Sequence, residues 1–379
     1  MSRQRHLDQA EELFFGPVVD REKIVAKLPQ LVNAGMISVQ AHLVISEKPL
    51  SESLSRLGRR RSLDFQPITL QEDLLSGELS GVIGRYEPRR VSGKLIAYSH
   101  PSHPKAWVIL TIRPGDFESV ILARLLNAVR PRCVRPIIRT EQIQQLFTEL
   151  AGIPGMDSPG SDRHAEAAAP RVVQIGSRSH IQSPGARKPV EAFRRWTDLS
   201  IAEAFRDARE SEQWVTAATL AFCFKGTAGR VQVGRDGVAK FSGTPTPVFE
   251  PVTAYISRVA TERYEFLRGR ERTRQNLFQN RPFDIAFRSV DLAADEERNL
   301  LRSVLRSIPN ATCTVLHGNP YFHAVVVDYL DGSSYEVLIL ESRKMTVIPQ
   351  GRATPASLQR LCRSVFKDFR EGEITEALT

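Results

Sequence analysis

Near the C-terminal end, three side chains have the types and spacing that hydrolytic chemistry would use. Asp328 sits on one apolar run, and Glu341 and Lys344 close the next. Two carboxylates on neighbouring strands can hold a divalent cation, and a lysine beside them can position the attacking water. His317 and His323, a few residues upstream, are candidate metal ligands. Arginine offers a second kind of chemistry. Of 52 basic residues 42 are Arg and 10 are Lys, and against 43 acidic residues they leave a net charge of +9. The planar guanidinium grips phosphate through paired hydrogen bonds and stacks on bases, so clustered arginines point to nucleic acid. The clusters are Arg59, Arg60 and Arg61; then Arg130, Arg132, Arg135 and Arg139; and Arg343 beside Lys344.

A hairpin must position the carboxylates. Residues 324–330 are apolar and β-branched, and residues 335–340 alternate polar with apolar. Asp331-Gly332 between them is the dipeptide that supplies positive φ in a two-residue turn. With that turn, Val326 faces Val337, Val325 faces Leu338 and His323 faces Leu340. Asp328 then opposes Tyr335, and Glu341 opposes Phe322. The two carboxylates share a face but lie roughly 20 Å apart, at about 3.3 Å per residue. One ion needs its ligand oxygens about 2 Å away, which that register forbids.

The same residues resemble the PD-(D/E)xK nuclease superfamily: Asp328 on one strand, Glu341-Ser342-Arg343-Lys344 on the next, with helices on both sides. The resemblance covers about twenty residues, and two residues separate Glu341 from Lys344 where the family has one. It implies a Mg²⁺-dependent nuclease acting through Asp328, Glu341 and Lys344. No other cofactor is expected.

The elements around these residues can be read in order. Residues 82–112 predict two or three strands, and Asp116 caps a helix over 117–129. His100 and His103 sit three apart in a proline-flanked loop, without a third ligand nearby. Residues 130–139 predict a short strand carrying four arginines, with a helix over 140–150 after it. Residues 152–190 are rich in Gly, Pro and Ser and predict a linker. Beyond it the pattern predicts a helix over 198–214, a strand over 216–224, a hairpin across Asp236-Gly237 and a long helix over 249–279. A strand over 283–287, a helix over 294–308, the hairpin and a helix over 355–369 capped by Thr354 complete the chain.

At 379 residues, with 41% hydrophobic and 25% charged, the chain is long enough for two domains with real cores. The expected fold class is α+β in two lobes, each an antiparallel hairpin-based sheet packed on helices. The expected boundaries are 1–151, a linker over 152–190, and 191–379. The four cysteines are far apart and read as free thiols. No long apolar segment or signal-peptide core is visible, so no membrane partner and a cytoplasmic location are expected. There is no GxxxxGK[ST], GxGxxG, GxSxG or HExxH. The leading expectation is a non-catalytic, nucleic-acid-associated subunit that binds or positions DNA or RNA through arginine-rich surfaces. The nuclease is the alternative, and an assembly subunit with protein partners is a further one.

Overall fold

The computed structural model describes residues 20–32, 37–55, 63–84, 86–129, 133–158, 169–180, 190–273, 281–288, 290–319 and 321–377, besides Leu7 and residues 10–12. Arg59, Arg60, Arg61, Arg130 and Arg132 lie outside the described residues. The fold is α+β, as the patterning predicts, with two antiparallel sheets. The chain divides into two compact units: Met1–Ser177 with Arg194–Thr261, and Arg178–Phe193 with Glu262–Thr379. The stretch expected as a linker is residues 152–190. Residues 171–180 of that Gly/Pro/Ser-rich stretch form a strand, and residues 214–243 join the first sheet.

The larger sheet is built around β1 (Val39–Ile45), which is buried along its whole length. One side of β1 continues through β5 (His103–Thr111), β4 (Arg89–His100), β3 (Leu74–Ile83) and β2 (Leu63–Leu70). The other continues through β11 (Val238–Gly243), β10 (Thr227–Gly234), β9 (Trp214–Phe224), β7 (Arg171–His180) and β8 (Val190–Leu199). The short β6 (Met156–Asp157) pairs with β9. Alternation along β1 sends Val39, Ala41 and Leu43 into one core and Val44 into another. Covering the first core are α1 (Arg21–Val32), α4 (Thr140–Ala151), α5 (Ile201–Glu210) and α6 (Thr246–Arg268). On the opposite face, α2 (Leu50–Ser55), a π-helical turn (Phe117–Leu122) and α3 (Ala123–Ala128) pack on Trp107 and Ile109.

Three local expectations change here. Over the described part of the arginine run, residues 133–139, there is no strand: Val134 makes an isolated bridge to Ile45, and Val134, Ile137 and Ile138 anchor the segment. The helix expected over 198–214 spans only Ile201–Glu210, because Ser200 caps it with its hydroxyl on the Glu203 amide. The residues before that cap are β8. The long helix ends at Arg268, where Gly269 follows.

The smaller sheet runs β13 (Ala311–His317), β14 (Phe322–Asp328), β15 (Ser333–Glu341), β16 (Lys344–Pro349), β12 (Phe283–Ala286), β17 (Glu373–Glu376). Helix α7 (Asp295–Arg306) packs on β13 and on α8 (Pro355–Asp368). The hairpin β14–β15 exists, but its register differs from the expected one by two. Val326 pairs with Tyr335, His323 with Leu338, and Asp328 with Ser333. The connection has four residues, 329–332, with Gly332 in the left-handed region (φ 71°). The reason lies in the two aspartates. Asp328 Oδ1 accepts the Leu330 amide at 2.9 Å and Asp331 Oδ1 the Ser333 amide at 3.2 Å. Those side-chain turns stabilise a wider loop than a bare Asp-Gly corner would make. A shift of two leaves every side chain on its expected face.

Candidate nucleic-acid interface

The register separates the carboxylates of the nuclease pattern. Asp328 opposes Ser333, and Glu341 lies eight residues further along β15, about 26 Å at ~3.3 Å per residue. Asp328 is wholly buried and committed elsewhere. Its Oδ2 accepts Ser357 Oγ–H at 3.0 Å and Arg360 Nε–H at 2.8 Å. Arg360 also reaches Asp331 at 2.8 Å, which accepts Thr354 Oγ1–H at 2.6 Å. This network clamps the hairpin tip to the first turns of α8, whose N-cap is Thr354. Burial alone would raise the Asp331 carboxyl, but hydrogen bonds from Thr354, Ser333 and Arg360 outweigh it and leave the pKa below the ordinary value.

Glu341 and Lys344 face each other across the turn Ser342-Arg343, 3.1 Å apart, with Glu341 and Arg343 exposed. His317 and His323 pair across β13–β14 with rings stacked 6.0 Å apart, and His323 Nε2 meets Glu336 Oε2 at 3.1 Å. Among the described residues, no group of three or more His, Cys, Asp or Glu could hold a metal ion. Arg135 and Arg139 are half-buried in the coil before α4, next to the larger sheet, where the Arg135 charge helps hold His42 neutral. A cleft of about 300 Å³ elsewhere in the larger unit is lined by Glu47, Glu72 and Asp73 against Lys48 and Lys105. It contains none of the predicted site residues.

The larger unit carries a feature that residue spacing did not reveal. Thr111 pairs with Gln40, Gln40 with Lys240, Lys240 with Gln232, and Gln232 with Thr219. Residues paired in this way share one face, so a polar row crosses β5, β1, β11, β10 and β9. Hydrogen bonds extend it: Gln232 Nε2 donates to Thr219 at 3.3 Å and to Gln174 on β7 at 3.5 Å, and Arg194 on β8 donates to Gln174 Oε1 at 3.0 Å. The row begins under the π-helical turn, where Gln40 and Thr111 are buried, and ends at the exposed edge strand.

Charge changes along the row. Glu118 neutralises Lys240 at 3.2 Å, and its other oxygen lies 3.9 Å from His42 Nε2. Burial pushes the His42 imidazole down to about 4, so that ring is neutral at physiological pH. At the outer end the cations have no compensating carboxylate among the described residues. Arg230, two residues from Gln232 and thus on the same face, is exposed, as is Arg194. Among the described residues no carboxylate pairs with either, whereas the neighbouring Arg195 turns to the other face and binds Asp207 at 2.5 Å. Trp196, two residues from Arg194, shares its face and is 70% exposed. A tryptophan that large is rarely left in water without a partner to stack on.

The outer end of the row therefore presents two guanidinium groups that no carboxylate pairs with among the described residues, an exposed indole and amide side chains. Guanidinium and indole together are what binds a phosphate backbone with unstacked bases. No helix among the described residues is long and apolar enough to cross a membrane. The four cysteines are free, and burial raises the Cys133 and Cys362 thiols to about 12. No protein-family model matches the chain, and no curated protein matches it.

Proposed function

We propose that the chain is a nucleic-acid-binding protein of the cytoplasm that takes a single strand along the edge of its larger sheet, without a catalytic step of its own. One observation carries the reading: Arg194, Trp196 and Arg230 are exposed on one sheet face, with no carboxylate paired to either arginine among the described residues. The guanidinium groups hold phosphates, and the indole stacks on a base, a contact worth about 1–3 kcal/mol. An unpaired strand has bases free to stack, whereas a duplex hides them, so single strands are the preferred form. Arg343, exposed at the β15–β16 turn of the smaller unit, offers a separate phosphate contact.

Anisotropy of a labelled oligonucleotide, titrated at several salt concentrations, tests the reading. Log affinity for a single strand falls with log salt by about 0.7 for each phosphate contacted. Absence of binding at low salt, or an affinity indifferent to salt, would remove the proposal.

A further inference from the structure

The opposite side of the larger unit holds a second cluster of polar groups, at the start of α1 and the end of β4. Arg21 bonds Glu250 of α6 through one terminal nitrogen at 2.5 Å, and its guanidinium lies 5.5 Å from the centre of the Tyr98 ring. Two residues beyond Tyr98 along β4, His100 stacks on His103 with ring centres 5.5 Å apart. Tyr98 is 1% exposed and His100 is 4% exposed. Among the described residues, Arg21 Nε and both ring nitrogens of His100 are buried with no hydrogen-bond partner, and Tyr98 Oη has none beyond the Arg21 guanidinium.

Groups left in this way lose their hydration without replacement, and native structures rarely tolerate several of them side by side. These are mostly donors: the guanidinium Nε–H, the phenol O–H and one imidazole N–H. What is missing is an acceptor. We propose that Arg21, Tyr98 and His100 form a binding site for the carboxylate of a small free carboxylic acid. A carboxylate accepts from several donors at once and donates to none, so it matches the set.

The charges favour one negative group over two. Arg21 and Glu250 already cancel each other, so a carboxylate adds a single charge. His100 can balance it by taking up a proton. Burial, then His103 and Arg21, hold that imidazole down at about 4. A bound anion acts in the opposite sense to His103 and Arg21 and raises it. Burial first and then the Glu250 charge push the Tyr98 hydroxyl up, and that nearby charge makes a doubly charged phosphate the poorer fit.

Histidine ring resonances of the full chain, followed by NMR during titration with formate, test the site, with chloride as the ionic-strength control. The expected result is a saturable shift of the His100 signals and an upward move of the ring's titration from about 4. Tyr98→Phe should weaken formate binding several-fold. Should that variant fail to fold, Arg21→Lys, which keeps the charge and removes the Nε–H, should weaken it in the same way. Shifts no larger than those from chloride would overturn the proposal. So would equal shifts with phosphate, or formate binding unchanged in the variant that folds.

Discussion

Two charged clusters in this molecule use the same residue types for opposite ends. In the smaller unit Asp328, Asp331 and Arg360 satisfy one another at 2.8 Å or less, and Ser357 and Thr354 take the remaining positions. In the larger unit Arg194 and Arg230 stand on an exposed face with no carboxylate partner among the described residues. A buried carboxylate with both oxygens engaged is architecture, because using it for a ligand would break the fold. An exposed guanidinium beside a bare indole contributes little to folding. On the proposed reading, the arginines that bind are those whose charge no carboxylate among the described residues compensates.

The comparison can be broken most severely at Asp328. Asp328→Ala strips the hairpin tip of its clamp and should destabilise the smaller unit by about 3–5 kcal/mol, the usual result of breaking a buried pair. Hydrogen exchange of the β14 and β15 amides would show it. A loss under about 1 kcal/mol would mean the network is not structural. In the larger unit the corresponding lever is pH. The folded pKa of His42 is about 4 against an ordinary 6.5, so the unfolded chain binds the extra proton first. Stability should therefore fall as pH drops from 6.5 towards 4, by roughly 3 kcal/mol at about 1.4 kcal/mol per unit. His42→Gln should lessen that dependence in urea melts followed by tryptophan emission, leaving the part that His100, also held at about 4, contributes over the same range.

Binding effects are smaller. Arg230→Ala should lower the salt slope for single strands by about 0.7 and leave the thermal midpoint unchanged. An unaltered slope would move the interface elsewhere. Smallest of all is Glu341→Ala. Glu341 and Lys344 form an exposed pair, so thermal stability should change by no more than about 0.5 kcal/mol. Measurable Mg²⁺-dependent cleavage of nucleic acid that vanishes in this variant would restore the nuclease reading.

The sequence was legible where pattern and turn chemistry agree. The alternation of residues 335–340 and the Asp-Gly corner located the hairpin. They misplaced its register by two, because Asp328 and Asp331 act through their side chains, not only through the backbone. Helix α8 and its Thr354 cap could be read directly, since a hydroxyl followed by proline marks a helix start. Strand β8 could not. It is exposed on both faces, so Phe193, Arg194, Arg195 and Trp196 show no alternation of polar and apolar residues. The polar row was also hidden, because Gln40, Gln174, Thr219, Gln232 and Lys240 meet only through pairings across distant strands. The basic count pointed to a nucleic-acid surface, but the arginine run at 130–139 was its nearest local signal, and there Arg135 and Arg139 are half-buried.

The most direct test uses the protein's own fluorescence. Of its three tryptophans, Trp107 and Trp214 are buried, at 2% and 4% exposed, and only Trp196 meets solvent. Titration with a single-stranded oligonucleotide should quench the solvent-exposed emission, saturating with the binding curve, and the quench should disappear in Trp196→Phe. Binding that leaves the emission unchanged, or a quench that persists in Trp196→Phe, would contradict the assignment of this sheet edge.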